Sequence, residues 1–94
     1  MEISDLKPNM EGVSIELEII DKGDIRDFIK FGQPGRLVYA RGHDQTGEVF
    51  LTLWNEEIEK VFVGSRVKLI NARVSEFKNN LCLSSGREGY IEIR

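Results

Sequence analysis

Apolar residues in this chain recur at every second position, in short runs, and only once at helical spacing. Val13, Ile15, Leu17 and Ile19 alternate with Ser14, Glu16, Glu18 and Ile20. Val49, Leu51 and Leu53 alternate with Phe50, Thr52 and Trp54, and Val67 and Leu69 with Arg66 and Lys68. A period of two belongs to strands with one buried face. A chain built from such runs must fold its strands against one another.

The runs define five expected strands, over 13–20, 36–42, 48–54, 66–74 and 81–85. Asp44-Gln45-Thr46-Gly47 has turn chemistry and makes the second and third strands a hairpin. Lys78-Asn79-Asn80 is a second turn, and Ile91 and Ile93 alternate in a strand-like tail. Asn55 reads as the N-cap of a short helix over Glu56–Phe62, with Ile58, Val61 and Phe62 as one apolar stripe. Ile3, Leu6 and Met10 suggest a turn of helix over one end of the core. Residues 21–35 lose clear periodicity and end on Gly32 and Pro34-Gly35, so they read as a long loop or two strand ends splayed by one.

Ninety-four residues bury one modest core, which sets the expected organisation at a single domain over 1–94, either whole or an excerpt of a longer chain. Short strands without a βαβ rhythm point to an all-β fold with a small closed antiparallel sheet, since closure removes exposed edges. An SH3-like barrel fits the strand count nearly as well. A helix between the third and fourth strands favours the five-stranded OB-fold barrel.

Several functions are disfavoured by what the chain lacks. Cys82 and His43 are each the only residue of their type, so neither a disulfide nor the usual zinc ligand set is available, and no metal or cofactor is expected. His43 reads as a surface residue of the hairpin. HExxH, GxxxxGK[ST] and GxSxG are absent and no carboxyl pair sits in an apolar setting, so no enzyme activity is expected. No apolar run approaches the ~20 residues that span a bilayer, and the acidic N-terminus is unlike a signal peptide. The expected location is the cytoplasm, with no membrane partner.

Thirteen basic residues against sixteen acidic ones leave a net charge of −3, which argues mildly against a polyanion partner. The distribution is uneven. Residues 1–29 carry three basic and eight acidic side chains, whereas 66–87 carry Arg66, Lys68, Arg73, Lys78 and Arg87 against Glu76 alone. Lys30, Arg36 and Arg41 face only Asp44 within residues 30–47. Such asymmetry can form a basic face on an acidic protein, or be ordinary solvated surface.

Parity separates the third strand into two faces. Val49, Leu51 and Leu53 are uniformly aliphatic and form the core side, so Phe50, Thr52 and Trp54 point outward. Trp54 is then either an exposed stacking platform or a cap on the barrel end beneath the helix. In the second strand the faces stay unassigned. An outward aromatic patch beside cations suits single-stranded nucleic acid, and equally a protein groove, where Trp is enriched.

Three segments, ISDLKPNM, DQTGEVFLTLWNE and VFVGSRVKLINARVSEFKNNLCLSSGR, together resemble the single-OB single-stranded-DNA-binding proteins of archaea. The chain is also similar to the human small SSB proteins and, more distantly, to OB domains of replication protein A. The likeness covers residues 3 to 87 and is one of position alone in the loop after the first strand. It implies that Trp54 and Phe77 stack on bases. Two positions that are tyrosine in relatives are Arg73 and Ser84 here, and Arg73 can instead stack its guanidinium or grip a phosphate.

The resulting expectation is a passive binder of single-stranded DNA in replication, recombination or repair. Trp54 and Phe77 are expected to stack on successive bases. Arg73, Lys78 and Arg41 contact phosphates, helped by Lys30 and Arg36 from the loop, with Phe31 as a further aromatic. Asn79 and Asn80 serve the turn. RNA is an alternative ligand, replication or repair proteins are further partners, and a protein-interaction OB module is the competing reading.

Overall fold

The computed structural model describes residues 1–86 and 88–94; Arg87, counted above in the basic segment, lies outside the described residues. Seven strands are present among the described residues: β1 (Val13–Lys22), β2 (Arg26–Lys30), β3 (Gln33–Asp44), β4 (Gly47–Trp54), β5 (Arg66–Phe77), β6 (Asn80–Ser84) and β7 (Tyr90–Ile93). A short helix, α1 (Glu57–Lys60), connects β4 to β5. The sheet runs β1-β3-β4-β6-β5-β7, and a further β1–β5 pairing closes its first five members into a ring. These five are the strands expected from periodicity, and the all-β OB architecture holds. The ring is not wholly antiparallel, because β4 and β6 run parallel.

The alternating residues fill the ring. Val13, Ile15, Leu17, Ile19, Val49, Leu51, Leu53, Val67 and Leu69 are all buried, as are Val38 and Ala40 of β3. Each such Val, Leu or Ile side chain removed from water contributes about 1.5–3 kcal/mol. The choice of Val38 and Ala40 assigns the second expected strand: Leu37 and Tyr39 face outward. Ile3 and Leu6 close one end from a 3-10 turn (Ile3–Asp5), where a turn of helix was expected. The Asp44-Gln45-Thr46-Gly47 turn holds that cap. Asp44 Oδ2 accepts the Ile3 N–H at 2.8 Å, and Thr46 Oγ1 accepts the Ser4 N–H at 3.1 Å.

Two β-bulges decide which side chains reach the surface. Between Leu69 and Ala72, β5 has one more residue than its partner β1, and Asn71 there adopts a left-handed φ of 56°. An extra residue inverts the in–out alternation. Val67 and Leu69 point inward before the bulge, and Ala72 and Val74 after it. Arg73, Ser75 and Phe77 are thereby turned outward. The second bulge, between Ile19 and Asp21 of β1, brings Asp21 opposite Arg41.

Three local expectations are corrected. Residues 26–30 and 33–37 form a paired ribbon, not a loop, with Arg26 opposite Leu37 and Lys30 opposite Gln33. Pro34 and Gly35 lie inside β3 because β4 has ended at Trp54, so the missing N–H breaks no second ladder. Asn55 does not cap α1. It takes φ 51° and its Oδ1 accepts the Arg36 N–H at 3.0 Å, ending the β3–β4 ladder, while Glu56 occupies the helix N-cap. Phe62 leaves the expected stripe: α1 stops at Lys60, so Ile58 and Val61 are buried and Phe62 is 61% exposed under the Lys22 ammonium.

Candidate nucleic-acid interface

One outer face of the ring collects side chains from β3, β4, β6 and the second half of β5. Register sets its rows. Tyr39, Thr52, Ser84 and Arg73 are successive cross-strand partners, and so are Arg41, Phe50, Cys82 and Ser75. Beyond the first row, Trp54 lies opposite Leu37, which lies opposite Arg26. Beyond the second row, Phe77 lies opposite Asn80.

Trp54 is half-buried and held from three sides. Its indole N–H donates to Ser84 Oγ at 3.0 Å. Its backbone N–H donates to Glu57 Oε1 at 2.9 Å, and the second oxygen of that carboxylate accepts the Ser85 hydroxyl, also at 2.9 Å. The ring of Phe28 meets the indole edge-to-face, with centroids 5.7 Å apart and planes at 90°. Phe28 itself lies across Gly35, its cross-strand partner, so closely that a Cβ at Gly35 would enter the ring. The indole is thus outward by parity, half-buried, and anchored at the end of the ring.

Phe77 is 71% exposed at the end of β5, beside the Lys78-Asn79 turn. Both turn residues have left-handed φ, 51° and 67°, the geometry of a two-residue hairpin. The Lys78 ammonium lies 5.3 Å from the Phe77 ring centroid. Trp54 to Phe50 is four positions and Ser75 to Phe77 two more, which at ~3.4 Å per residue sets the two rings about 20 Å apart along the face. Bases are ~3.4 Å apart when stacked on one another and only about twice that in an extended strand, so a spacing of about 20 Å is too long for Trp54 and Phe77 to hold neighbouring bases.

The cations divide. Arg73 points outward with only a 3.9 Å, solvent-exposed approach to Glu11, an ion pair of little weight. Arg41 shares the face but is already engaged by Glu48 at 3.1 Å and Asp21 at 3.6 Å. Arg36 is on the other side of the ribbon, bound to Glu59 of α1 at 2.9 Å. Lys30 and Phe31 stand at the ribbon's tip, with Phe31 91% exposed. Arg66 and Lys68 do not join this face, because they pair with Glu18 and Glu16 of β1 before the bulge. The basic segment of the sequence is therefore split between two sides of the molecule.

Sequence reasoning passed over Arg26, Phe28 and Tyr39, and gave Phe50 no role. The Arg26 guanidinium lies 5.6 Å from the Tyr39 ring centroid. Arg26, Phe28 and Lys30 alternate with Asp27 and Ile29, a period-two signal hidden between the glycines. Cys82 sits in the second row beside Thr52, with Sγ 3.2 Å from Thr52 Oγ1. Burial pushes its thiol up despite that hydrogen bond, so it stays protonated at neutral pH. His43, at the far end of β3, is 2.7 Å from Glu18 Oε1 of the neighbouring strand, a part-exposed pair away from the aromatic rows.

Residues 6–93 match the family model described as single-stranded DNA binding protein Ssb-like, OB fold. The chain belongs to the Ssb-like OB-fold family. Among its relatives, the single-stranded DNA binding protein Ssb of Saccharolobus solfataricus is 31% identical over 89 residues, covering 95% of this chain and 60% of that protein. This Ssb-like chain thus spans less than two thirds of that relative's length. In backbone it is similar to the OB domain of Ta0387 from Thermoplasma acidophilum, with a TM-score of 0.84 at 21% identity, covering 100% of this chain and 85% of that one. The second OB-fold domain of replication protein A from Methanococcus maripaludis aligns with a TM-score of 0.78 at 27% identity, over 99% and 92% of the respective chains.

Proposed function

We propose that this Ssb-like chain binds single-stranded DNA without catalysis, by stacking bases on its aromatic face and holding phosphates with the cations around it. The observation that carries the reading is Trp54: an outward indole, fixed by Ser84 and Glu57, beside Phe28 and in line with Phe50 and Phe77. A ring already fixed loses little freedom when a base stacks on it, and base–aromatic stacking is worth roughly 1–3 kcal/mol per base without regard to sequence. The indole N–H is spent on Ser84, so Trp54 offers a face and no donor, which suits indifference to base identity.

Arg26, Lys30, Arg73 and Lys78 are the cations offered to phosphates. Arg41 contributes by exchanging its carboxylate partners, and Arg36 acts from behind the ribbon by holding it to α1. The role served is protection or presentation of single strands in replication, recombination or repair, as befits kinship with an archaeal Ssb. The test is anisotropy of labelled oligo-dT, its RNA counterpart and matched duplex at several salt concentrations. Four phosphate contacts on a single strand give a slope of log K against log salt of about −3. A flat slope would overturn the reading in favour of an apolar protein-binding module, and equal affinity for duplex would overturn the preference for single strands.

A further inference from the structure

The β2–β3 ribbon carries an unusual residue at its tip. Phe31 and Gly32 form the two-residue turn with φ values of 52° and 75°. Turns of that kind take Asn-Gly, Asp-Gly or Gly-Gly, because both positions are left-handed, and a bulky side chain at the first is strained. Phe31 is also the most exposed of the large apolar residues described, at 91%, followed by Ile29 at 79%. Strain and exposure together mark a ring kept for contact with something outside the molecule.

The ribbon's charge says what kind of partner that is. Residues 26–37 hold Arg26, Lys30 and Arg36 against Asp27 in a chain of net charge −3; Arg36 is taken up by Glu59 of α1, which leaves Arg26 and Lys30 as the cations on the ribbon's front and tip. Lys30 Nζ lies 5.8 Å from the Phe31 ring centroid. The front of the ribbon, with Arg26 and Phe28, is continuous with Trp54, and its back carries Ile29 and Pro34. A basic arm tipped by an apolar ring is suited to nucleic acid before protein. A strand lying on the front face would leave the molecule at Phe31. The broadest flat apolar surface a nucleic acid can present there is the terminal base pair of a duplex from which the strand emerges.

We propose that Phe31 caps the end of a duplex at a single-strand/double-strand junction, with Lys30 on the adjoining phosphate. This rests on the single-strand reading of the face and adds a preferred substrate: a duplex with a single-stranded tail. No covalent step is involved.

The experiment compares a bare oligo-dT with the same tail attached to a short hairpin duplex, in both tail polarities, with 2-aminopurine in the first paired position. One tailed duplex should bind about tenfold tighter than the bare tail, the scale of one added stacking contact, and change the 2-aminopurine emission. Phe31→Asn fits the turn better than Phe31 does, so it should fold at least as stably. It should abolish the tenfold preference and the emission change. Equal affinity for tailed and bare strands, or a preference that survives Phe31→Asn, overturns the inference. So does self-association in sedimentation that disappears with Phe31→Asn, which would make the tip a contact between copies. If Trp54→Ala leaves binding of the bare tail unchanged, the underlying single-strand reading fails instead.

Discussion

The indole N–H of Trp54 donates to Ser84 Oγ at 3.0 Å, across the one parallel pairing in the ring. Resemblance to relatives marks Ser84 as a lost tyrosine; the structure makes it the group that orients the indole. Ser84→Ala removes two hydrogen bonds, the indole's and the one Ser84 Oγ accepts from the Gly86 N–H at 3.3 Å, each worth about 1 kcal/mol, and frees the ring to rotate. Affinity for oligo-dT should fall several-fold, with lower steady-state anisotropy of Trp54 emission and a melting temperature lower by several degrees. Unchanged anisotropy would show that the ring is held by packing alone.

Gly35 is the position that lets Phe28 lie flat across the ribbon and reach Trp54. In Gly35→Ala the new methyl meets the ring of Phe28, which must swing away at a cost of about 1–3 kcal/mol. The barrel core is untouched, so Gly35→Ala should remain folded by circular dichroism while binding single strands more weakly. Phe28→Ala should weaken binding to a similar extent, and adding Gly35→Ala to it should cost little more. Additive losses would contradict the shared cause.

Asp44 ties the N-terminal cap to the β3–β4 turn. Burial alone would raise its carboxyl pKa, but hydrogen bonds from Thr46, Ile3 and Gly47 outweigh it and hold the group below its ordinary 3.8. A folded pKa below the unfolded one adds stability above the unfolded value, and that stability is lost as pH falls through the folded value. Urea midpoints should therefore drop as pH falls below about 4. Asp44→Asn should be less stable at pH 7 and lose less on acidification than the parent. Parallel curves for the two proteins would remove Asp44 from the account.

The strands of the ring were legible because one face of each is purely aliphatic; Val49, Leu51 and Leu53 alone fix the outward direction of Trp54. The ribbon was not, because its turn is Phe31-Gly32 where Asn-Gly would announce a hairpin, and Pro34-Gly35 reads as a break. The sidedness of charge was hidden for another reason. Arg66 and Arg73 are close in sequence, similar in chemistry and both outward, yet Arg66 lies beside β1 and Arg73 beside β6, so they reach different sides of the molecule. Phe77 was found through family resemblance, whereas Phe28 required the register that sets it against Gly35.

The most direct test follows the emission of Trp54, the only tryptophan, during titration with oligo-dT, alongside anisotropy of the labelled oligonucleotide. Stacking predicts saturable quenching over the same concentrations at which anisotropy rises, no quenching by duplex, and a loss in Trp54→Ala of about 1–3 kcal/mol. Anisotropy that rises while Trp54 emission stays flat, with Trp54→Ala binding as tightly as the parent, would contradict it.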